Sequence, residues 1–245
     1  MNTFLPPLNP PPLQKVALGL LRLLAVWGVV MYAAVTAFVL SNQPSRDARW
    51  ILLEGAGLIL IWCVGAGAGM AALRGPLTRW IRRVPLPWGL RFFLLCTLLA
   101  MIEEGVTTSL SSAAVRWGQV SPAGIITAST NYWEVIFLHS VIVFLPMFAV
   151  WVWMLRRWDF SPVEVMLLFG LSGTLGETLS FGTQNLSAVG MWVFVYGWMV
   201  WLPAYSLPAA RGQAPVRFWH WPMAVLLPLA ASVPWTVLVL WLQGH

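Results

Sequence analysis

Residues 16–40 read VALGLLRLLAVWGVVMYAAVTAFVL, a stretch interrupted by a single charge, Arg22. A bilayer's hydrocarbon core takes about 20 apolar residues in helical form. This run is long enough to cross it, and an apolar stretch of this length argues for a membrane helix rather than a core segment of a soluble domain. Outward from it, six further runs follow: Trp50–Leu73, Leu90–Ala114, Tyr132–Leu155, Pro162–Gly182, Val189–Tyr205 and Met223–Leu242. The third has a polar second half, and the sixth is short. Seven spans of about 22 residues leave room for short loops but for no separate soluble domain. The expected fold is an all-α, polytopic transmembrane bundle of about seven spans.

Composition agrees. Of 245 residues, 59% are hydrophobic and 9% are charged, against roughly 25% charged in an average soluble domain. Such a chain is neither an ordinary soluble enzyme nor disordered. The net charge of +6 comes without a basic stripe, so no nucleic-acid partner is expected. The 17 tryptophans include Trp50, Trp80, Trp117, Trp133, Trp158 and Trp219 at span ends, where indole rings favour the headgroup level.

The positive residues set the orientation. Alternation over seven spans puts Lys15, Arg22, the group from Arg74 to Arg91, Arg156, Arg157, Arg211 and Arg217 on one side, and only Arg46, Arg49 and Arg116 on the other. The positive-inside rule makes the first side cytoplasmic. The N-terminus is then cytoplasmic and the C-terminus outside. The expected organisation is a proline-rich cytoplasmic N-terminus (1–15), one seven-helix transmembrane domain (16–242) and a short outer tail (243–245). The start has no basic n-region and is not read as a cleavable signal peptide. The expected location is a membrane, read as a prokaryotic cytoplasmic membrane, with the lipid bilayer as the first partner.

Gly65-Ala66-Gly67-Ala68-Gly69 and the series Gly170, Gly173, Gly176 form small-residue faces. They let helix backbones approach, within the bundle or in an oligomer. Cys63 and Cys96 lie in apolar runs with no zinc or disulfide spacing. There is no nucleotide-binding glycine loop or haem motif, so the cofactor and any metal stay unassigned.

Intramembrane ionisable residues are expensive and mark candidate sites. At about 1.5 Å per residue, His139 is expected roughly 10 Å below the outer end of its run, Glu177 roughly 9 Å below and Glu103-Glu104 about 9–16 Å below. Glu103, Glu104, His139 and Glu177 are therefore the candidate catalytic residues. Thr107, Thr108, Ser111 and Ser112 continue the faces of the glutamate pair, and Thr174, Thr178 and Ser180 flank Glu177. Adjacent helical residues point about 100° apart, so one glutamate should face the bundle centre and the other a neighbouring helix. Two carboxylates in low dielectric cannot both ionise cheaply. Glu54 and Glu134, near span ends, are expected to reach the interface, and Trp117–Asn131 is expected to be an interfacial loop above the site.

Such groups can activate water or move a proton. In a membrane-embedded hydrolase, Glu103 or Glu104 would activate water and His139 would steady an oxyanion. The order Glu103-Glu104 then His139 resembles the glutamic-type intramembrane proteases of the CAAX-processing group. It departs from them where Thr108 replaces an arginine, Val135 replaces the phenylalanine four residues before the histidine, and Glu177 replaces a second histidine. The resemblance covers three residues. Two other classes fit the same residues: a proton- or cation-coupled transporter, and a non-catalytic scaffold or assembly subunit held together by polar bonds. The ligand would be a membrane peptide, a lipid or an ion.

Overall fold

The computed structural model describes residues 11–208 and 211–243. The chain is all-helical, 82% helix, with no strand among the described residues. Helix α1 is Pro12–Ser41 and α2 is Arg46–Leu58. A π-helical stretch, Ile59–Ala66, joins α2 to α3, Gly67–Ala72. Then come α4 (Arg74–Arg83), α5 (Trp88–Ala113), α6 (Tyr132–Leu138), α7 (Val141–Leu155), α8 (Pro162–Phe181), α9 (Val189–Tyr205) and α10 (His220–Gln243).

Four helical stretches are long and apolar enough to cross a membrane: Pro12–Ser41, Arg46–Ala72, Thr183–Tyr205 and His220–Val239. The bent pair Tyr132–Leu138 and Val141–Leu155 makes a fifth if it is counted as one span. Helices α5 and α8 match the third and fifth expected runs; both carry buried glutamates and neither belongs to that apolar group. Residues 1–10 of the expected N-terminal segment and 244–245 of the expected tail lie outside the described residues. The first helix already begins at Pro12, with proline at the position where its missing N–H costs nothing.

Local chemistry explains the boundaries. Ser45 caps α2, accepting from Ala48 N at 3.2 Å, so the second helix starts before Trp50. Ser161 and Glu164 form a reciprocal capping box ahead of Pro162. At Gly182, φ is 103°, a conformation that glycine adopts without penalty, and it ends α8. The fourth run is broken rather than continuous: α6 and α7 meet at a 46° bend. There His139 and Ser140 both send their N–H to Val135 O, at 3.2 and 2.9 Å. The amphipathic α4 was not foreseen. Its Arg82 donates to the carbonyls of Tyr205, Ser206 and Leu207, capping α9.

The interior packs α8 mainly against α9, with α5 and α7 beside them. Phe148 stacks on Phe169 at 5.4 Å, and Trp62 donates to Val195 O at 2.9 Å. The glycines act within this bundle. A Cβ at Gly170 would meet Val193 backbone, one at Gly67 the Trp198 ring, and the α1 and α9 backbones touch at Gly28 and Gly190. Gly69 has open space instead. Arg82, Arg91 and Arg211 tie the same end of the bundle, where α9 finishes and α5 begins.

Candidate functional site

The buried stripe of α5 runs Phe92, Cys96, Leu99, Ala100, Glu103, Glu104, Thr107, Thr108 and Ser111. A helix with 3.6 residues per turn buries adjacent pairs at every fourth step, so both glutamates of the pair are enclosed. They look in different directions. Glu103 is close enough to feel the charges of Glu104 and Glu177, and it acts on Cys63 in the π-helical stretch and on Tyr196. Glu104 turns toward the α6–α7 break, where the Ser140 side chain hydrogen-bonds it. Thr107 Oγ1 lies 3.3 Å from Glu104 Oε2 and also donates to the helix carbonyls.

Glu177 comes from α8. Its carboxylate accepts the Tyr196 hydroxyl from α9. Gly173, one turn earlier, makes room: a Cβ there would overlap the Tyr196 ring. Tyr196 escaped the sequence reading because it sits in an apolar run with no polar companion. The Gly-x-x-x-Glu spacing on α8 was the available signal. Asn185 closes this end, donating to Gly182 O at 3.2 Å and accepting Trp192 Nε1 at 3.2 Å. Glu103, Glu104, Glu177 and Tyr196 thus form one electrostatic cluster across α5, α8 and α9.

His139 stands at the helix break, half-buried. Its Nε2 is 3.9 Å from Glu134 Oε1, and Glu134 accepts Ser129 Oγ at 2.8 Å. The ring therefore pairs with Glu134, while its neighbour Ser140 reaches Glu104.

Glu54 is not at the interface. It is 1% exposed, because Ser111 Oγ donates to its Oε2 at 2.6 Å and Ile126 N at 3.2 Å. Its Oε1 is buried without a partner. The segment Trp117–Asn131 is accordingly strapped to α2. Ser121 N donates to Asp47 Oδ1 at 3.1 Å, its hydroxyl donates to the other carboxylate oxygen, and Arg46 donates to Gln119 at 3.2 Å.

Between this segment and α5 lies an open groove of about 470 Å³, within the size range of ligand sites. Thr108, Ser109, Ser112, Arg116, Trp117 and Tyr132 line it. Tyr132 lies within the field of Glu104 and donates to Met101 O at 3.0 Å, so its ring forms the wall between groove and cluster. Thr108 is 4% exposed, and its hydroxyl has no hydrogen-bond partner. Among the described residues, no group of three or more His, Cys, Asp or Glu is arranged to hold a metal ion.

Compared with known families, with characterised proteins and with solved structures, the chain matches none.

Proposed function

We propose that this chain is a seven-span integral membrane protein, N-terminus cytoplasmic and C-terminus outside, of a prokaryotic cytoplasmic membrane, and that it is a membrane-embedded hydrolase. The helices α5 and α8 complete the seven spans, their acidic groups turned inward as intramembrane carboxyls are. The gathering of Arg82, Arg91 and Arg211 at one end of the bundle supports the orientation through the positive-inside rule.

One observation carries the enzymatic reading. Thr108 lines the groove one helical turn from Glu104, and its hydroxyl is enclosed there without a partner. A buried hydroxyl without a partner calls for an explanation, and a catalytic role is one. In the proposed reaction, the Tyr132 ring turns aside to join groove and cluster, and Glu104 takes a proton from water as the water oxygen attacks a substrate carbonyl carbon. Thr108 donates to the oxygen on which charge develops. Glu104 then returns the proton to the leaving oxygen or nitrogen as its bond to the acyl carbon breaks. Glu103, Glu177 and Tyr196 hold the hydrogen-bonded floor beneath, and His139, beside Ser140 and paired with Glu134, relays protons to solvent.

A second reading is a proton-coupled carrier, favoured by the cluster that joins three helices through Glu103, Glu104, Glu177 and Tyr196. The two part in one experiment on the protein in sealed proteoliposomes, supplied with membrane-soluble ester and peptide probes. Hydrolysis releases an acid and an alcohol or amine with no sustained proton flux. A carrier moves protons with an intact solute. Probe cleavage with no flux supports the hydrolase; flux without cleavage overturns it.

A further inference from the structure

The groove and the exposed face of α5 that leads to it have an order. At 100° per residue, Leu94, Leu98, Ile102, Gly105, Ser109 and Ser112 fall within about 40° of one line on α5, and Arg116 follows in the π-helical turn Ala114–Gly118. The first three are exposed aliphatic residues. Gly105, Ser109 and Ser112 give a small, hydroxyl-bearing middle, and Arg116 ends the line at the groove's rim. Beside Leu94 and Leu98 is a second, smaller open crevice of about 160 Å³, lined also by Trp80, Ile81 and Arg91. Apolar, then hydroxyl, then cationic is the order that would meet the tail, neck and anionic head of a single-chain lipid.

The polar atoms fit that ligand. Ser109 Oγ donates to Gly105 O at 2.6 Å and Ser112 Oγ to Thr130 O at 3.2 Å. With their hydrogens spent on the backbone, both oxygens can still accept from a glycerol hydroxyl. Thr108, buried and unpartnered, supplies the donor that an ester carbonyl needs. Arg116 is exposed, and among the described residues it makes no hydrogen bond or ion pair. Helical side chains lean toward the N-terminus, which carries its guanidinium back over the Ser112 turn. A planar fork of donors there suits a phosphate. Trp117, exposed beside it, lies where an indole favours the headgroup level.

We propose that this groove binds a monoacyl glycerophosphate: phosphate at Arg116, glycerol and ester against Thr108, Ser109 and Ser112, acyl chain along Ile102 and Leu98. The ester then stands nearest Glu104, and the inference rests on the hydrolase reading only for the cleavage that follows binding.

The test measures binding of lauroyl lysophosphatidic acid to the protein in nanodiscs. Monolauroylglycerol, which lacks the phosphate, and inorganic phosphate, which lacks the chain, are the comparisons. The expected result is saturable binding of the first, with both comparisons at least about tenfold weaker, the scale of one lost charge-assisted contact. Arg116→Gln should weaken the first by about tenfold and leave monolauroylglycerol unchanged. Thr108→Val should weaken both acyl glycerols a few-fold. Arg116 is exposed, so its variant folds; an unchanged melting temperature checks this. Equal binding by Arg116→Gln and wild type, or inorganic phosphate binding as tightly as the amphiphile, overturns the proposal. Binding with the expected variant pattern but no cleavage of ester or peptide probes leaves the ligand class standing and removes the hydrolase. Cleavage of other probes with no Arg116 dependence does the reverse.

Discussion

Tyr196 donates its phenolic hydrogen to the Glu177 carboxylate across the α8–α9 contact, and its ring fits there because residue 173 is glycine. One small residue on α8 therefore positions a hydroxyl from the next helix against a carboxyl a turn away. The pair also fixes the register of the two most closely packed helices of the bundle.

A methyl group at residue 173 has to displace the Tyr196 ring, which is buried. Gly173→Ala should destabilise the protein by about 1–3 kcal/mol, the usual cost of overpacking, read as a lower melting temperature in detergent. Gly69→Ala, where a Cβ meets open space, should be neutral or slightly stabilising, because alanine is the better helix former. Equal losses at both positions would contradict the packing described.

At Glu103, Glu104 and Glu177, exchange to glutamine keeps shape and hydrogen-bonding capacity, whereas alanine leaves a cavity and strands the partners. Glu177→Gln should cost less than about 1 kcal/mol and Glu177→Ala about 1–3 kcal/mol, since the buried Tyr196 hydroxyl then has no acceptor. Thermal unfolding of the six variants compares them directly. Identical melting for the glutamine and alanine series would mean that these carboxyls are solvated rather than enclosed.

Glu54 anchors the segment that borders the groove. Ser111→Ala removes the hydroxyl that donates to a carboxylate 1% exposed, at a cost of about 1–3 kcal/mol. Glu54→Ala should in addition release the Ile126 amide, so hydrogen exchange at residues 125–127 should rise well above that in Ser111→Ala. Unchanged exchange there would show that Asp47 alone holds the strap.

Much of this was legible in the residues. The apolar runs led to an all-helical chain with four or five stretches long and apolar enough to cross a membrane, and inward-facing glutamates on two helices led to most of the cluster. Besides α4, three features were not. Glu54 looks interfacial by position, and the Ser111 hydroxyl and the Ile126 amide, both distant in sequence, draw it inside. The break at His139 and Ser140 has no glycine or proline at its point to announce it; Pro146 lies a turn and a half later. Depth along the chain assumed an unbroken helix, so it could not foresee that His139 would pair with Glu134. Tyr196 was hidden because its role depends on an absent side chain at Gly173, and absence leaves little mark in a hydropathy pattern.

Topology has a direct readout. Reporter fusions at Gln43, Pro85, Ala123, Asp159, Ser187, Gly212 and the C-terminus should alternate between outside and inside, beginning outside. Two consecutive fusions on the same side would break the seven-span arrangement.

The central claim is that Glu104, behind the Tyr132 wall of the groove, activates water. The most direct measurement is transfer of ¹⁸O from labelled water into the acid released from lauroyl lysophosphatidic acid and from a membrane-spanning peptide probe, in nanodiscs, by wild type and Glu104→Gln at matched melting temperature. The predicted result is label in the product of one of the probes with wild type, and a rate lower by at least about a hundredfold in Glu104→Gln, the low end of general-base contributions. Equal rates in the two proteins, or no labelled product from wild type with either probe, would contradict it.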